Sequence, residues 1–490
     1  MVGSPPLAPD RAAGRAPPRL HSFPLKCPLG ALCARSGPAP APARASSRAH
    51  LSILAGSSPL TRTPAPQKPQ LSAAFASKFG TSKAAHVLSG VKAVSIGAGS
   101  AGVDAYARAL IAQSGDACPE HFYVFDLSAV LERWRVWTTS LPRVVPHYAV
   151  KCNPDRAMLA LLAALGTGFD CASPHEIELV TSLGVAPERI IYAHCCKMPK
   201  DLSSAAASGI NLTTFDTEAE LYKIAKLHAS CGLVLRIRAD DPAARCNLGD
   251  KYGAEEDEVL PLLRCAKALG LDVAGISFHV GSGARNPAAF PIAVAKARQA
   301  FDAAIELGFN MRVLDLGGGY SGNLTEGITM EAVAASLNAA LEMHFPASQG
   351  VRVIAEPGRY FAEPGMTLHT RVFGKRVREG RPNVDTRYYW ISDGVYGSMN
   401  CQIYDHAELV VRPFPLVEDA MEVSSDTKPS TLYGPTCDGM DTLLRGCALP
   451  ELAVGDWLQW PSMGAYTLAA GSAFNGFDSQ AVDVHYVFSA

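Results

Sequence analysis

The sequence predicts an α/β barrel of the (β/α)8 type followed by a second, mainly β domain. Between Leu127 and Phe361, eight short apolar runs alternate with amphipathic helical stretches, the pattern of parallel βα units. This region of roughly 235 residues has the usual size of such a barrel. After it, helical periodicity gives way to β-rich sequence interrupted by Pro and Gly. The predicted barrel strands are VVPHYAV, TGFDCA, RIIYAHC, NLTTFD, LVLRIR, VAGISFHV, VLDLGGG and VRVIAEPG.

A doubly wound open sheet is the alternative, because periodicity alone cannot show that a sheet closes. Both folds bind ligands at the carboxyl ends of their parallel strands. Polar residues follow the predicted strands at these ends: Lys151, Asp170, Arg236, His279, the glycines 317–319 and Glu356. A functional site is therefore expected there.

Composition excludes several classes of partner. The 490 residues include 44 basic and 46 acidic ones, and the net charge of −2 gives no electrostatic reason to expect a nucleic acid. No apolar run approaches the ~20 residues that cross a bilayer, so a soluble protein without a membrane partner is expected. The 13 cysteines lack paired CxxC spacings, which favours free thiols in a reducing compartment and no metal site.

Residues 1–83 form a segment of different composition. They are rich in Ala, Pro, Ser and Arg, with Asp10 as the only acid, and we expect disorder because little apolar surface is available for burial. The same composition is typical of an organelle transit peptide. A cytoplasmic location is expected, with a plastid or mitochondrion as the alternative. Further boundaries are predicted at 84–126, contributing to the β domain, at 127–361 for the barrel and at 362–490 for the C-terminal β domain.

One motif suggests a different function. Gly97, Gly99 and Gly102 follow the run VKAVSI and precede a helical stretch, as in a dinucleotide-binding fingerprint. No second set of such strands follows to complete a doubly wound sheet. We therefore interpret the glycines as local structure.

Two loops at predicted strand ends are suited to a phosphate. Gly317-Gly318-Gly319 follows the seventh strand and Glu356-Pro-Gly358-Arg359 the eighth, the places where barrels commonly bind phosphates. Glycines let backbone amides approach phosphate oxygens, and a guanidinium adds a charge-assisted bond. A glycine triplet alone is as readily a tight turn. Two such loops in the expected places favour a phosphate site.

Lys151 and Glu356 indicate which phosphate compound binds. Lys151 ends the first strand in HYAVKCN, where a desolvated lysine with a lowered pKa suits reaction with an aldehyde. A lysine that merely reaches solvent from a strand end is the alternative. A carboxylate such as Glu356 can keep the pyridine nitrogen of pyridoxal phosphate protonated. Lysine, glutamate and phosphate loops together predict this cofactor.

Nine motifs then show a family resemblance: HYAVKCN, GTGFDCAS, LVLRIRADD, ISFHVGSG, LDLGGG, IAEPGRY, DGVYGSMNCQIYDHA, YGPTCDGMD and MGAYT…FNGF. In this order, between Phe122 and Phe488, they resemble those of the eukaryotic ornithine decarboxylases, fold-type III pyridoxal-phosphate enzymes. The resemblance implies a barrel with a β domain, a head-to-tail homodimer with two shared active sites, and conversion of L-ornithine to putrescine and CO2, the first step of polyamine biosynthesis.

The resemblance also implies roles for single residues around the cofactor. Lys151 matches the lysine that bonds to the aldehyde, His279 the ring that stacks on the pyridine, and Glu356 the partner of the pyridine nitrogen. Asp170 and Arg236 match polar residues behind the cofactor, where a structural role is nearly as plausible. The phosphate contacts are matched by Ser282, Gly318, Gly319, Gly358, Arg359 and Tyr466.

Other implied residues concern the substrate and the dimer. The resemblance makes Cys437 the proton donor to Cα and has Asp438 accept the distal ammonium together with Asp405, with Cys437 and Asp438 crossing the dimer interface. On its own, Cys437 reads as a buried turn cysteine. Further matches are Tyr404 and Phe474 as substrate contacts and Lys251 with Asp441 as an ion pair across the dimer. Glu176, in Ser173-Pro-His-Glu176, is predicted to belong to a capping box.

Alternatives remain within the same family. Decarboxylation of lysine, arginine or diaminopimelate would use the same cofactor site, and lysine differs from ornithine by a methylene worth only ~1–3 kcal/mol. Glu356 argues against a racemase, and intact Lys151, His279 and Cys437 argue against a non-catalytic paralogue that resembles an antizyme inhibitor. The short loop REGRPNVDT and few basic residues in 199–223 count against an antizyme-like regulator. The end at Ala490 suggests that the degradation tail of animal members is absent.

Overall fold

A computed structural model describes residues 82–489, apart from 323–327, 379–385 and 418–425. The predicted N-terminal extension lies outside the described residues except for Ser82 and Lys83, and so does most of the loop REGRPNVDT. Within the described part, no helix is long and apolar enough to cross a membrane. The described helices are α1 (Lys83–Gly90), α2 (Gly99–Ser114), α3 (Leu127–Ser140), α4 (Arg156–Ala164), α5 (Pro174–Ser182), α6 (Pro199–Ala207), α7 (Glu218–Leu227), α8 (Glu256–Ala268), α9 (Ala289–Glu306), α10 (Met330–His344), α11 (Arg359–Ala362) and α12 (Cys401–Tyr404).

Eight parallel strands close into a barrel. They are β3 (Val144–Ala149), β4 (Gly168–Cys171), β5 (Ile190–Tyr192), β6 (Leu212–Phe215), β7 (Gly232–Arg236), β8 (Asp272–Ser277), β9 (Val313–Asp315) and β10 (Arg352–Ala355). Each of the eight predicted runs contains one of them. The last strand, β10, pairs in parallel with both β9 and β3, so the sheet has no open edge. The barrel prediction is confirmed, and the open-sheet alternative is wrong.

The second domain is a mixed sheet. Its strands are β1 (Val94–Ile96), β2 (His121–Asp126), β11 (Met366–Arg378), β12 (Thr386–Ile391), β13 (Arg412–Phe414), β14 (Lys428–Tyr433), β15 (Thr442–Leu449), β16 (Trp457–Trp460) and β17 (Asp483–Ser489). The order is β1-β17-β2-β11-β12-β14-β15; β16 branches from β11, and β13 pairs with β16. The long strand β11 pairs with β2 and β16 near its start and with β12 towards its end. The second, mainly β domain is thus present as the sequence predicts.

The N-terminal segment 84–126 is divided between the two domains. Strands β1 and β2 join the β-domain sheet. Helix α1 instead contacts barrel helix α4, and its Ala84 and Leu88 are buried in the main hydrophobic core. The amphipathic pattern of α1 gave no information about which domain it would cover.

The glycine fingerprint is a tight turn between β1 and α2. A Cβ atom on Gly102 would lie 1.8 Å from the carbonyl oxygen of Gly97, so only glycine fits there. In the described sheet β1 pairs with β17 alone, and α2 buries Val103, Ala107 and Ile111 against the β domain. The glycines therefore serve packing, as interpreted from the sequence.

Candidate functional site

The polar residues predicted at the strand ends meet at one mouth of the barrel. Lys151 lies in a single 3-10 turn directly after β3, and Glu356 directly follows β10. Because β3 and β10 are paired neighbours, the two loops touch, and the amide of Ala149 donates to the carbonyl of Pro357 at 3.3 Å. Barrel closure thus brings together a lysine and a glutamate that are about 200 residues apart in the chain.

Lys151 forms an ion pair with the buried carboxylate of Asp170 on β4. Its side chain is 42% exposed, so the amine is accessible from the barrel mouth. Burial acts to lower the pKa of Lys151, but the carboxylates of Asp170 and Glu356 outweigh it and the pKa is raised. The predicted lowering of this pKa is therefore wrong for the chain by itself, because the sequence did not reveal how closely the acids surround the amine.

Glu356 faces a second acid, Asp315, which the sequence reasoning did not assign. Burial raises the pKa of Glu356, and the nearby charges of Asp315 and Asp170 raise it further. Burial also raises the pKa of Asp315, at the end of β9. Two buried carboxyl groups this close retain a proton between them. The acid that precedes the glycines in LDLGGG was the available signal for Asp315.

His279 is held as a neutral ring. Its Nδ1 accepts a hydrogen bond from the amide of Gly281 at 3.0 Å. Burial lowers the pKa of His279, and the positive charges of Arg236, Lys151 and Arg359 lower it further. A Cβ atom on Gly318 would lie 2.6 Å from His279 Nε2, so glycine is needed there to admit the imidazole. A neutral, flat ring at this place can lie against an aromatic ligand.

The two glycine loops and Arg359 form a pocket suited to a phosphate. Gly317 and Gly319 adopt φ values of 60° and 115°, which favour glycine. Arg359 Nε and Nη2 donate to Ser282 Oγ at 3.2 and 2.8 Å. Among the described residues, the buried Arg359 Nη1 has no hydrogen-bond acceptor. A buried guanidinium N–H without an acceptor is satisfied by an anion such as phosphate.

Tyr466 and Gly358 connect this pocket to the lysine loop. The Tyr466 amide donates to the carbonyl of Cys152 at 2.9 Å, and the guanidinium of Arg359 lies 5.2 Å from the centre of the tyrosine ring. A Cβ atom on Gly358 would lie 3.0 Å from Cys152 Cβ, so glycine allows this close approach. The predicted phosphate residues thus adjoin Lys151.

Arg236 ends β7 near the same mouth. Its guanidinium lies 5.2 Å from the centre of the Tyr252 ring. It also contributes to the lowered pKa of His279, which places its charge close to the imidazole. Arg236 therefore contributes positive charge at the barrel mouth, and its guanidinium packs near the Tyr252 ring.

Asp405 is not an open carboxylate in this structure. It is buried and forms ion pairs with Arg359 and with Arg245, the second at 3.3 Å. The sequence predicts that Asp405 receives a substrate ammonium. The structure adds that two guanidinium groups of the same chain already bind it.

Cys437, Asp438 and Phe474 form a separate, exposed group on the β domain. Tyr396 donates a hydrogen bond to Asp438 Oδ2 and stacks on Phe474 at a ring-centre distance of 4.2 Å. Cys437 Sγ donates to Asn475 Oδ1 at 3.5 Å. Phe474 is 40% exposed and Cys437 is exposed, so the expectation of a buried turn cysteine is wrong. Tyr396 and Asn475 were missed from the sequence.

Two further predictions concern Tyr404 and the pair of Asp441 with Lys251. Tyr404, at the end of α12, is 69% exposed and its substrate role stays a prediction. Asp441 is buried and accepts hydrogen bonds from the amides of Val395 and Thr436, both at 2.9 Å. It is thus a structural acceptor within its own chain, and its pairing with Lys251 of a second copy stays a prediction.

The structure contains one of the two hydrogen bonds of the capping box predicted before α5. Ser173 caps the helix by accepting from the Glu176 amide at 3.3 Å, with Pro174 in the first turn. Glu176 Oε2, however, accepts from the amide of Ala172 at 2.6 Å rather than from that of Ser173. Burial raises the pKa of Glu176, whereas Lys151 acts to lower it, so this carboxyl group also belongs to the surroundings of the lysine.

Fold and site together define a barrel enzyme with a lysine, acids and a phosphate pocket at one mouth. Comparison with known proteins agrees: the profile of the family described as "Pyridoxal-dependent decarboxylase, pyridoxal binding domain" matches residues 127–363. A chloroplastic ornithine decarboxylase of Nicotiana glutinosa is 48% identical over 373 residues, covering 75% of this chain and 84% of the relative. An ornithine decarboxylase of Rattus norvegicus is 46% identical over 377 residues, covering 75% and 80%.

Solved structures show the same two-domain fold. An arginine decarboxylase of Paramecium bursaria Chlorella virus bound to agmatine superimposes with a TM-score of 0.73 and 41% identity, covering 78% of this chain and all of that one. A lysine/ornithine decarboxylase of Vibrio vulnificus complexed with cadaverine gives a TM-score of 0.69 and 30% identity, covering 78% and 97%. This chain belongs to the family of pyridoxal-dependent ornithine, lysine and arginine decarboxylases.

Proposed function

We propose that this chain binds pyridoxal phosphate at the barrel mouth and converts L-ornithine to putrescine and CO2, the first step of polyamine biosynthesis. One observation carries the proposal: Lys151 and Glu356 lie at the same ends of the paired strands β3 and β10. Beside them, Arg359 and Ser282 border the phosphate pocket. An amine, an acid and an anion site at these places suit an aldehyde, a pyridine nitrogen and a phosphate on one molecule.

The residues present fit this cofactor. Lys151 would bond to its aldehyde carbon, Glu356 would hold the proton of the pyridine nitrogen, and His279 would lie against the ring. The buried Arg359 Nη1, which has no hydrogen-bond acceptor among the described residues, supports the phosphate assignment. When bound, the protonated pyridine ring supplies an acceptor for the electron pair that departing CO2 leaves at Cα.

The chain's own groups then handle binding and protons. In the chain by itself Glu356 retains a proton, because burial and the neighbouring Asp315 raise its pKa. This proton could pass to the pyridine nitrogen and leave a carboxylate beside it. The carboxylates of Asp405 and Asp438 would bind the distal ammonium of ornithine. The Cys437 thiol would deliver its proton to Cα in place of the lost carboxyl group and recover one from water.

A homodimer is part of the proposal. Within one chain, Cys437, Asp438 and Phe474 lie on the exposed surface of the β domain, whereas Lys151 lies in the barrel mouth. Exposed apolar residues adjoin them in the sequence, such as Met440 and Phe477. A second copy that covers this surface would place Cys437 of the partner subunit at the Cα of the substrate.

Lysine is the second candidate substrate, because the Vibrio vulnificus relative is named for both amino acids. A single methylene is discriminated by only ~1–3 kcal/mol in a binding pocket. Ornithine is favoured by the two relatives with 46–48% identity that are named ornithine decarboxylases.

Release of CO2 from carboxyl-labelled ornithine, lysine and arginine tests the proposal on the purified protein loaded with pyridoxal phosphate. We expect the kcat/KM for ornithine to exceed that for lysine by about tenfold or more. Equal values for lysine would overturn the choice of substrate. No CO2 from any of the three amino acids would overturn the activity itself.

We propose a cytoplasmic location, with a plastid or mitochondrion as the alternative. The printed name of the Nicotiana glutinosa relative, which includes "chloroplastic", supports the plastid. Residues 1–83 fused in front of a fluorescent protein distinguish these locations by microscopy. Import of the fusion into an organelle would contradict the cytoplasmic assignment.

A further inference from the structure

Four buried charged side chains connect the phosphate pocket to the β domain. We call Arg245, Arg359, Glu363 and Asp405 the arginine–acid cluster. Each of the four side chains is at most 10% exposed. Arg359 Nη1 and Arg245 Nη1 lie 3.7 and 3.9 Å from Glu363 Oε1. Two positive and two negative groups thus balance each other away from water.

The two oxygens of Asp405 are divided between two guanidinium groups. Oδ1 is bound by Arg359 Nη2, and Oδ2 lies 3.3 Å from Arg245 Nη1. Arg359 also contacts Ser282 and has the cofactor phosphate as its proposed partner. Loss of Arg359 to the phosphate would leave Oδ1 with only the long contact to Cys246 Sγ at 3.9 Å, but Oδ2 would stay bound to Arg245. Arg245 therefore determines whether one or both oxygens of Asp405 can bind a substrate cation.

The backbone fixes Arg245 in this place. Its amide donates to the carbonyl of Gly283 at 3.1 Å, and the amides of Cys246 and Ser282 donate to each other's carbonyls at 3.0 and 2.9 Å. Cys246 Sγ also donates to the carbonyl of Asp405 at 3.5 Å. The loop after β7 is therefore joined both to the phosphate pocket and to Asp405, so the position of Arg245 is set before any ligand binds.

Carboxylate geometry distinguishes between cationic substrates. A guanidinium binds a carboxylate best through two parallel N–H···O bonds and needs both oxygens. An ammonium is a compact charge that one oxygen can accept. A carboxylate with one oxygen already occupied therefore suits an ammonium better than a guanidinium.

We propose that Arg245 is a specificity-determining residue: by occupying Oδ2 of Asp405, it leaves one oxygen for the distal ammonium of ornithine and disfavours the guanidinium of arginine. The inference rests on the proposed function and extends it from the cofactor site to the choice of substrate. Arg245 acts through Asp405 and is a positioning residue. The family resemblance assigned no role to it.

The test compares the holoenzyme with its Arg245→Met variant. We expect KM for ornithine to rise about tenfold while kcat stays within about threefold, because Asp405 loses its orientation but the cofactor groups remain. The ratio of kcat/KM for ornithine to that for arginine should fall about tenfold or more. Arg285→Met is the matched control, since Arg285 is exposed and pairs only loosely with Glu408 at 3.8 Å. It should leave the ratio unchanged.

Equilibrium binding supplies a readout without catalysis. Putrescine and agmatine serve as probes of the ammonium and guanidinium sites, and Arg245→Met should weaken putrescine about tenfold while agmatine binds equally or better. An unchanged putrescine-to-agmatine ratio would overturn the inference. If circular dichroism shows that Arg245→Met is unfolded, Arg245→Gln, which keeps one amide donor, carries the same test.

The two proposals fail in different ways. A wild-type holoenzyme that releases no CO2 from ornithine, yet binds putrescine more tightly than agmatine only when Arg245 is present, would contradict the proposed function and support the inference. If the wild type decarboxylates ornithine but neither Arg245 variant changes the ornithine-to-arginine ratio of kcat/KM or the putrescine-to-agmatine binding ratio, the proposed function is supported and the inference about Arg245 is contradicted.

Discussion

The two halves of the candidate site differ sharply in burial. The cofactor half, with Lys151, Asp170 and Glu356, lies inside one barrel mouth, where nearby carboxylates raise the pKa of Lys151 and burial raises that of Glu356. The substrate half around Cys437 and Asp438 lies on an open surface, where the hydrogen bond from Tyr396 is the main reason for the lowered pKa of Asp438. The first half is preorganised within one chain. The second has the correct chemistry, but the residues that the structure describes leave its Cys437 and Phe474 exposed.

This contrast indicates what each half needs for function. A buried polar atom that lacks a hydrogen-bond partner among the described residues, such as Arg359 Nη1, can be completed by a ligand. An exposed thiol is protected from water only when another surface covers it, and proton delivery to carbon requires that protection. We therefore expect substitutions in the first half to affect cofactor binding, and those in the second half to affect turnover with the cofactor in place.

The largest effect is expected for Lys151→Ala. Removal of the amine that would bond to the cofactor should abolish the absorbance band of the bound aldehyde and reduce ornithine decarboxylation by about three orders of magnitude or more. Absorbance spectra and CO2 release check both effects. Lys296→Ala, at an exposed position on α9, is the control. A variant that retained the band would contradict the role of Lys151.

Cys437→Ala should have a smaller effect and a different signature. Loss of a proton donor lowers kcat by about 10²- to 10³-fold, whereas the absorbance band remains because the cofactor half is intact. Steady-state kinetics and spectra of the same preparation separate the two properties. Cys196→Ala, which changes another exposed cysteine, should leave kcat unchanged. Loss of the band in Cys437→Ala would instead place this residue in the cofactor half.

The smallest effect concerns the stability of the cofactor-free protein. Burial raises the pKa of Asp315 from 3.8 to about 6, so between these pH values the folded state holds more protons than the unfolded state. The free energy of unfolding therefore falls as pH rises through this interval, by about 1–3 kcal/mol. Asp315→Asn removes the titrating group, so urea denaturation from pH 4 to 7 should show a smaller fall than in the wild type. Parallel curves for the two proteins would contradict the assignment.

Local sequence was sufficient to predict the barrel and the strand ends. Alternating apolar runs identified β3 to β10, and the glycines 317–319 and Gly358 marked the phosphate loops, because each of these signals lies within a few residues of sequence. The mainly apolar strand sequences made the carboxyl-end residues Lys151 and Asp170 conspicuous. Such features depend on periodicity and on backbone conformation, which a single sequence records directly.

Contacts between distant segments were not predictable in this way. The closeness of Asp315 to Glu356 depends on the pairing of β9 with β10, and that of Arg245 to Asp405 depends on how a barrel loop meets the β domain. The raised pKa of Lys151 follows from the same kind of contact. Strand pairing and domain packing, rather than residue type, determine these interactions. The sequence therefore identified most of the residues but not the electrostatic interactions between them.

The claim that the two halves meet across a dimer is tested most directly by mixing two inactive variants. Lys151→Ala lacks the cofactor half and Cys437→Ala lacks the proton donor, so a mixed dimer would contain one site with both groups intact. Dissociated and reassociated in equal amounts, the mixture should recover roughly a quarter of the wild-type activity, because half of the dimers are mixed and each has one working site. A mixture no more active than the average of its two components would show that both halves act within one chain and would contradict this account.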